Sequence, residues 1–269
     1  MNVDQLFNSV KAAAKQNNDA RLAISGDWGQ GRTIFGGITA AILLVAAQDK
    51  VSTSHHIQSI STNFIGPLQA DSPFDIEVEV LRAGRSVTQV LAKIVQDQQV
   101  LVIQQTSFVL SRESGISITD NSSPDMPVPG EPNFLVDTPE LAPAFVQHFD
   151  IHMNSGKNPF SASDESHVYG WMRFKDTIEQ MNDAHITCLI DAWPPAVLQQ
   201  FKQFGACSTI SWYIEFANPK PEVQAGQWLA YKCHTDQAGD GYANTDAKIW
   251  NEAGQLIATS RQTVAIFDQ

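Results

Sequence analysis

At 269 residues the chain has room for one large or two medium domains, each able to bury its own core. Seventeen basic against twenty-nine acidic side chains, a formal charge of -12, exclude the dense cationic face that a nucleic-acid partner requires. Three widely spaced cysteines, Cys188, Cys207 and Cys233, have neither CxxC nor Cys/His ligand spacing, which excludes a disulfide framework and a structural zinc.

In chain order, the N-terminal segment Met1-Asn2-Val3-Asp4-Gln5 carries no basic stretch followed by an apolar one, so no secretory signal is expected and the chain reads as cytoplasmic. Residues 3–16 have the periodicity of a short amphipathic helix, and 21–35 read as extended chain interrupted by Gly26, Gly29 and Gly31. Gly36-Gly37 then opens the run Ile38 to Ala47, whose only polar member is Thr39. The run is about half the ~20 residues that cross a bilayer, and a helix apolar all round must be enclosed by protein.

The chain then turns to β structure. Phe74 to Val80 alternates apolar and acidic residues, the period-two mark of a strand with one buried and one wet face. Ala83 to Ser86 supply a turn, Val87 to Val95 a second strand, Asp97 to Gln99 another turn, and Val100 to Leu110 a third strand. A meander of long antiparallel strands after one buried helix describes a sheet curled around that helix.

Residues 111–143 hold six of the thirteen prolines and no periodicity, the composition of a linker. Acidity concentrates there: 1–110 carry eight basic and nine acidic residues, 111–150 one and seven. Beyond it the plan recurs. Trp171 to Phe174 reads as a strand, and a helix is expected from Ala192 to Phe204 with Asp191 as its N-cap and Pro194-Pro195 in its first turn. Strands are expected at 209–216, 228–234, 242–250 and 256–267.

The two halves are also faintly similar in sequence. Phe64-Ile65-Gly66-Pro67 is echoed by Phe216-Ala217-Asn218-Pro219 at a spacing of 152, and Ala83-Gly84 by Ala238-Gly239 at 155. The later register aligns Ser107 with position 262. The expected organisation is an N-terminal module over 1–110, a Pro-rich linker over 111–143 and a C-terminal module over 144–269, in the α+β class.

Several blocks, taken together, resemble the acyl-CoA thioesterase II family. They are Phe35-Gly36-Gly37, Asn63 to Pro67 and Glu79 to Ser86 in the first half, with Asp191, Thr209-Ile210, Trp212 to Pro219 and Ser260-Arg261-Gln262 in the second. The resemblance implies a double hot-dog fold, with two tandem modules each wrapping a curved antiparallel sheet around a buried helix. It also implies hydrolysis of acyl-CoA, without cofactor or metal, by a water molecule oriented jointly by Asp191, Thr209 and Gln262. The chemistry agrees with those residue types. A carboxylate can take the water's proton, and a hydroxyl and a carboxamide can fix its orientation. Backbone N–H groups around Gly36 and Gly37, at a helix N-terminus, are expected to receive the oxyanion and substrate. Arg32, Arg82 and Arg85 are candidates for the anionic coenzyme A moiety.

Taken singly, Asp191 is equally a helix cap, Thr209 an ordinary strand residue, Gln262 a solvated strand position and Gly36-Gly37 a tight turn. Ser208, beside Thr209, is a rival hydroxyl, although alternation lets only one of the two face a site. The chain departs from the family where Ser211-Trp212 stand in place of an Asp-His pair and Ala217 in place of a His. Those departures keep open a non-catalytic acyl-CoA binding protein and, as a further alternative, a hot-dog enoyl-CoA hydratase or dehydratase. His55-His56 lacks ligand spacing, His148 and His152 are spaced i, i+4 but have no evident third ligand, and the Asp236, Asp240 and Asp246 cluster does not follow a calcium-loop spacing, so none of these groups reads as catalytic. Trp193 and Trp212 are expected beside the acyl pocket. Association into a homo-oligomer is expected from the open sheet edges of such modules.

Overall fold

The computed structural model describes residues 1–15, 21–119 and 122–267; residues 16–20, the first of which ends the first expected helix, and 120, 121, 268 and 269, lie outside the described residues. Helix α1 (Val3–Lys15) is followed by a 3-10 turn (Gly26–Trp28), a two-residue hairpin of β1 (Gly29–Gln30) and β2 (Thr33–Ile34), and helix α2 (Gly36–Gln48). Strands β3 (His56–Phe64), β4 (Asp75–Ala83), β5 (Val87–Gln96) and β6 (Gln99–Val109) complete the first half. The second half contains β7 (Phe149–Ser155), β8 (His167–Phe174), α3 (Asp183–Ile190), a 3-10 turn (Ala196–Gln200), then β9 (Ala206–Phe216), β10 (Leu229–Gly239), β11 (Tyr242–Trp250) and β12 (Leu256–Phe267).

Ten strands form one antiparallel sheet in the order β4-β5-β6-β3-β9-β12-β11-β10-β8-β7. Outward from the β3–β9 junction, β6-β5-β4 on one side mirrors β12-β11-β10 on the other, so the halves are related by a pseudo-two-fold axis through the junction. Ser61 and Tyr213 lie opposite each other there, and they are 152 apart, the spacing of the Phe64 and Phe216 echo. The axis therefore passes through that pair. Details of the strands recur as well. Gln58 and Ile210, again 152 apart, are each the extra residue of a bulge.

Helix α2 is buried from Gly37 to Ala47, as its uniform hydrophobicity demands. It packs against α3 inside the curve of the sheet, with the start of α2 against the end of α3. The meander turns use left-handed residues, Asp97 at φ 51° and Gln98 at φ 62° between β5 and β6, which suits a two-residue hairpin loop.

Three expectations are corrected. The second helix lies at 183–190, not 192–204, and Asp191 ends it instead of capping its start. Proline at 194 and 195 removes two backbone donors and disfavours helical geometry at Trp193, so the chain there makes only a 3-10 turn. The cap that does start α3 is Asn182, whose Oδ1 accepts from the N–H groups of Ala184 and His185 while its own N–H donates to His185 Nδ1. Strands β3 and β7 form where the sequence pattern marks none. Finally, β4 lacks a fully buried face: as an edge strand it leaves Val80 41% and Leu81 45% exposed, with Leu81 in a bulge.

The stretch after 121 straps the outer face of the second half. Ser122 and Pro127 accept hydrogen bonds from the indoles of Trp250 and Trp171, and Met126 covers the buried Trp171–Trp228–Trp250 cluster. Phe134 and Leu135 are buried in the main core.

Candidate active site

Asp191, Thr209 and Gln262 are far apart in sequence and adjacent in space. Gln262 Nε2 donates to Asp191 Oδ1 at 2.7 Å, and Thr209 Oγ1 donates to Gln262 Oε1 at 3.0 Å. The carboxamide thus has a defined orientation, its nitrogen on the carboxylate and its oxygen on the hydroxyl. One N–H of the carboxamide and the lone pairs of the hydroxyl remain available to a further partner.

Each side chain reaches this point for a local reason. Gln262 lies opposite Trp212 across the β9–β12 ladder, on the inward face with Ser260. Counting alternately back from the inward-facing Trp212 would turn Thr209 outward. The bulge at Ile210 inserts one residue and turns it inward. Ser208 is exposed and faces the other way, so Thr209 is the hydroxyl of the cluster. Asp191 is delivered by the end of α3 to the start of α2, where the Gly37 amide donates to its carboxylate.

Gly37 lets the two helices approach closely, and Gly36 leaves room for the Asp191 and Phe64 side chains. A Cβ on Gly36 would stand 2.9 Å from Asp191 Oδ2 and 3.2 Å from the Phe64 ring, and one on Gly37 would stand 2.7 Å from the Cys188 carbonyl oxygen. At Gly37 no larger residue fits without separating α2 from α3, whereas at Gly36 the Asp191 carboxylate and the Phe64 ring would have to give way.

The electrostatics favour a proton acceptor. Burial raises the Asp191 carboxyl from 3.8 to about 7, against the opposing hydrogen bonds from Gln262 and Gly37. An anion at the C-terminal end of a helix also faces the unfavourable pole of that helix, so its hydrogen-bond support comes from the N-terminus of α2. Cys188, one turn earlier in α3, is driven the other way from reactivity: burial, then the Asp191 charge, raise its thiol well above the ordinary value.

The pseudo-two-fold axis predicts a counterpart site in the first half, and its positions carry different residues. The bulges make Ile57 the equivalent of Thr209. Ile60, equivalent to Trp212, pairs with Thr106, which is therefore the equivalent of Gln262. Ser107 is one residue off, because one more residue separates Trp250 from Leu256 than Val95 from Val100. Near the N-terminus of α3, Lys220 is ion-paired with Asp183 and lies over the Phe216 ring, at the place where Phe64 borders the open glycine start of α2.

The arginines do not converge on the cluster. Arg82 and Arg85 are exposed at the far end of β4, four strands from β9 and at the His56 end of the first-half ladder, away from Phe64. Arg32 is exposed in the β1–β2 turn that leads directly into α2. Of the two tryptophans expected nearby, Trp212 is buried beside Gln262 with its indole on Ser260 Oγ at 2.8 Å, and Trp193 follows Asp191 by two residues. Two of the histidines are engaged elsewhere: His148 stacks on Trp28 at 3.8 Å and His152 bonds the Glu131 carbonyl at 2.7 Å. Sequence reasoning missed Phe64 as a wall of the site and Tyr231, whose phenol feels the Asp191 charge.

Residues 24–109 match the family model described as acyl-CoA thioesterase N-terminal domain, and residues 120–266 match its C-terminal domain. The chain is 23% identical over 252 residues to acyl-CoA thioesterase 2 of Haemophilus influenzae, covering 86% of each chain. It is 24% identical over 260 residues to human acyl-coenzyme A thioesterase 8, covering 87% of this chain and 81% of that one. Among solved structures, a conserved protein of unknown function with a hot-dog fold from Alicyclobacillus acidocaldarius superposes with a TM-score of 0.80 at 24% identity, over 92% of this chain and 94% of the other. An acyl-CoA thioesterase II from Mycobacterium marinum superposes with a TM-score of 0.68 at 22% identity, over 88% and 90%. The fold is the double hot-dog.

Proposed function

Because the chain belongs to the acyl-CoA thioesterase II family, we propose that it hydrolyses acyl-CoA to a free carboxylic acid and coenzyme A with a water molecule held by Asp191, Thr209 and Gln262. The observation that carries this reading is the hydrogen-bonded sequence Thr209 to Gln262 to Asp191, set against the open N-terminus of α2.

With a pKa of about 7, Asp191 is partly ionised at neutral pH and basic enough to accept a proton. As the water oxygen bonds to the thioester carbonyl carbon, its proton passes to Asp191. The second N–H of Gln262 and the Thr209 hydroxyl hold the water in line. Negative charge on the carbonyl oxygen is received at the first turn of α2, where N–H groups lack intrahelical acceptors. The Gly37 amide is engaged by Asp191, so the Gly36 amide takes this role. The tetrahedral adduct collapses by breaking the C–S bond, and the departing sulfur takes the proton back from Asp191. Thiolates leave readily, since a thiol pKa is about 8.5.

Arg32, at the entrance to α2, is the residue for a coenzyme A phosphate. Three unpaired cysteines suit a reducing compartment, in keeping with work on acyl thioesters in the cytoplasm. The exposed apolar residues Val80 and Leu81 of the edge strand β4, with Val87 at the start of β5, support homo-oligomer formation.

Asp191→Asn tests the reading by thiol release from a panel of acyl-CoA substrates. Turnover is expected to fall at least about tenfold, roughly 1.4 kcal/mol of barrier, in a protein that still folds. Undiminished turnover in that variant rejects the assignment.

A further inference from the structure

Trp193 is 4% exposed, yet its indole Nε1 has no hydrogen-bond partner. A buried donor without an acceptor loses about 1–3 kcal/mol of hydration and is uncommon in folded proteins. By contrast, the indoles of Trp28, Trp171, Trp212 and Trp250 each donate to an oxygen.

The surroundings of this donor are aromatic. The Trp193 ring is stacked on Tyr231, with centroids 5.8 Å apart at 9°, and is flanked by Phe134 at 5.8 Å and 57°. Gly170 presses so closely from β8 that a Cβ there would stand 2.7 Å from Trp193 Cη2. Pro194-Pro195 stiffens the chain immediately after Trp193. Tyr231 does not supply the missing acceptor: its ring lies parallel to the indole, and no hydrogen bond joins the two side chains. The ring is therefore fixed, two residues from the Asp191 carboxylate, and its polar atom is unspent.

Resting on the thioesterase reading, we propose that Trp193 is a specificity-determining residue that donates its indole N–H to an oxygen on the acyl group. The enzyme then selects thioesters whose acyl chain carries a hydroxyl or carbonyl close to the reacting carbon. The coenzyme A arm is polyanionic and must extend to solvent, whereas Trp193 is enclosed by Phe134, Tyr231 and Gly170, so the acyl side is what reaches it. The thioester oxygen has its own donor in the Gly36 amide at the start of α2. An oxygen on the acyl chain is the acceptor left without a partner.

The test compares kcat/KM for 3-hydroxybutyryl-CoA and butyryl-CoA, which differ by one hydroxyl, in wild type and in Trp193→Phe. Wild type is expected to favour the hydroxylated substrate at least about tenfold, and the ratio to fall towards one in Trp193→Phe, which keeps an aromatic ring but lacks the donor. A ratio near one in wild type, or one that Trp193→Phe leaves unchanged, overturns the proposal. Equal losses on both substrates also overturn it, since they would place the donor on the thioester shared by the pair. Should Trp193→Phe fail to fold, the wild-type ratio alone decides. Hydrolysis without preference defeats only this inference, while absence of hydrolysis across all acyl-CoAs defeats the proposed function itself.

Discussion

Asp191 sits at the meeting point of two helices, and its raised pKa has two consequences of known sign. In the proposed role of base it would act only when ionised, so kcat/KM is expected to rise through a midpoint near 7 and level off above it, read from a pH–rate profile. As a buried acid it holds its proton in the folded state at pH values where the unfolded chain, near 3.8, has lost it. Its contribution to stability is therefore full below about pH 4 and falls away as the pH rises to about 7. Asp191→Asn removes that slope, so its melting temperature relative to wild type should climb between about pH 4 and pH 7; a constant difference would refute the buried-acid account. Gly37→Ala gives a second test. Ala is ordinarily favoured over Gly in a helix by about 1 kcal/mol. Here the new Cβ meets the Cys188 carbonyl at 2.7 Å, so denaturant unfolding should show a loss of stability instead, with turnover reduced at least about tenfold.

At the scale of elements, helix α3 shows how a local signal can be outvoted. An Asp before Trp-Pro-Pro looks like a helix start, yet Asn182 with His185 closes a capping box nearer the N-terminus and the buried run Ala184 to Ile190 sits behind it. The consequence for the site is direct, since ending at Asp191 is what points its carboxylate at α2. Asn182→Ala leaves two first-turn N–H groups without their acceptor and should lower stability by about 1 kcal/mol in a chemical unfolding curve. No change would mean that packing alone sets the helix boundary. The bulge at Ile210 plays the same part in β9, because it sets which of two neighbouring hydroxyls turns inward.

For the whole molecule, the pseudo-two-fold axis makes two equivalent places, and only one is equipped. The counterpart positions carry Ile57 and Thr106, which offer no carboxamide. Calorimetric titration with a non-hydrolysable acyl-CoA thioether should therefore saturate at one equivalent per chain, and two equal sites would contradict this reading of the halves. The asymmetry extends to the sheet, which continues past β10 to β8 and β7 on one side and stops at β4 on the other.

The α+β plan was readable from sequence because hydrophobic periodicity is a local property. The all-apolar run of α2 called for enclosure, alternation marked β4, and turn residues separated β5 from β6. The repeat spacing of 152 similarly foreshadowed the Ser61 and Tyr213 pairing at the axis. The family likeness singled out Asp191, Thr209 and Gln262, residues whose own local signals were those of a cap and two strand positions. What only the tertiary structure decided was their phase and their neighbours: which end of α3 bears Asp191, that Thr209 faces inward, that the equivalent of Gln262 is Thr106, and that Arg82 and Arg85 lie away from the cluster. Those outcomes depend on a bulge, one added residue between strands and the contact of two helix ends. Each is fixed by packing between segments distant in sequence, where propensity and spacing carry no information.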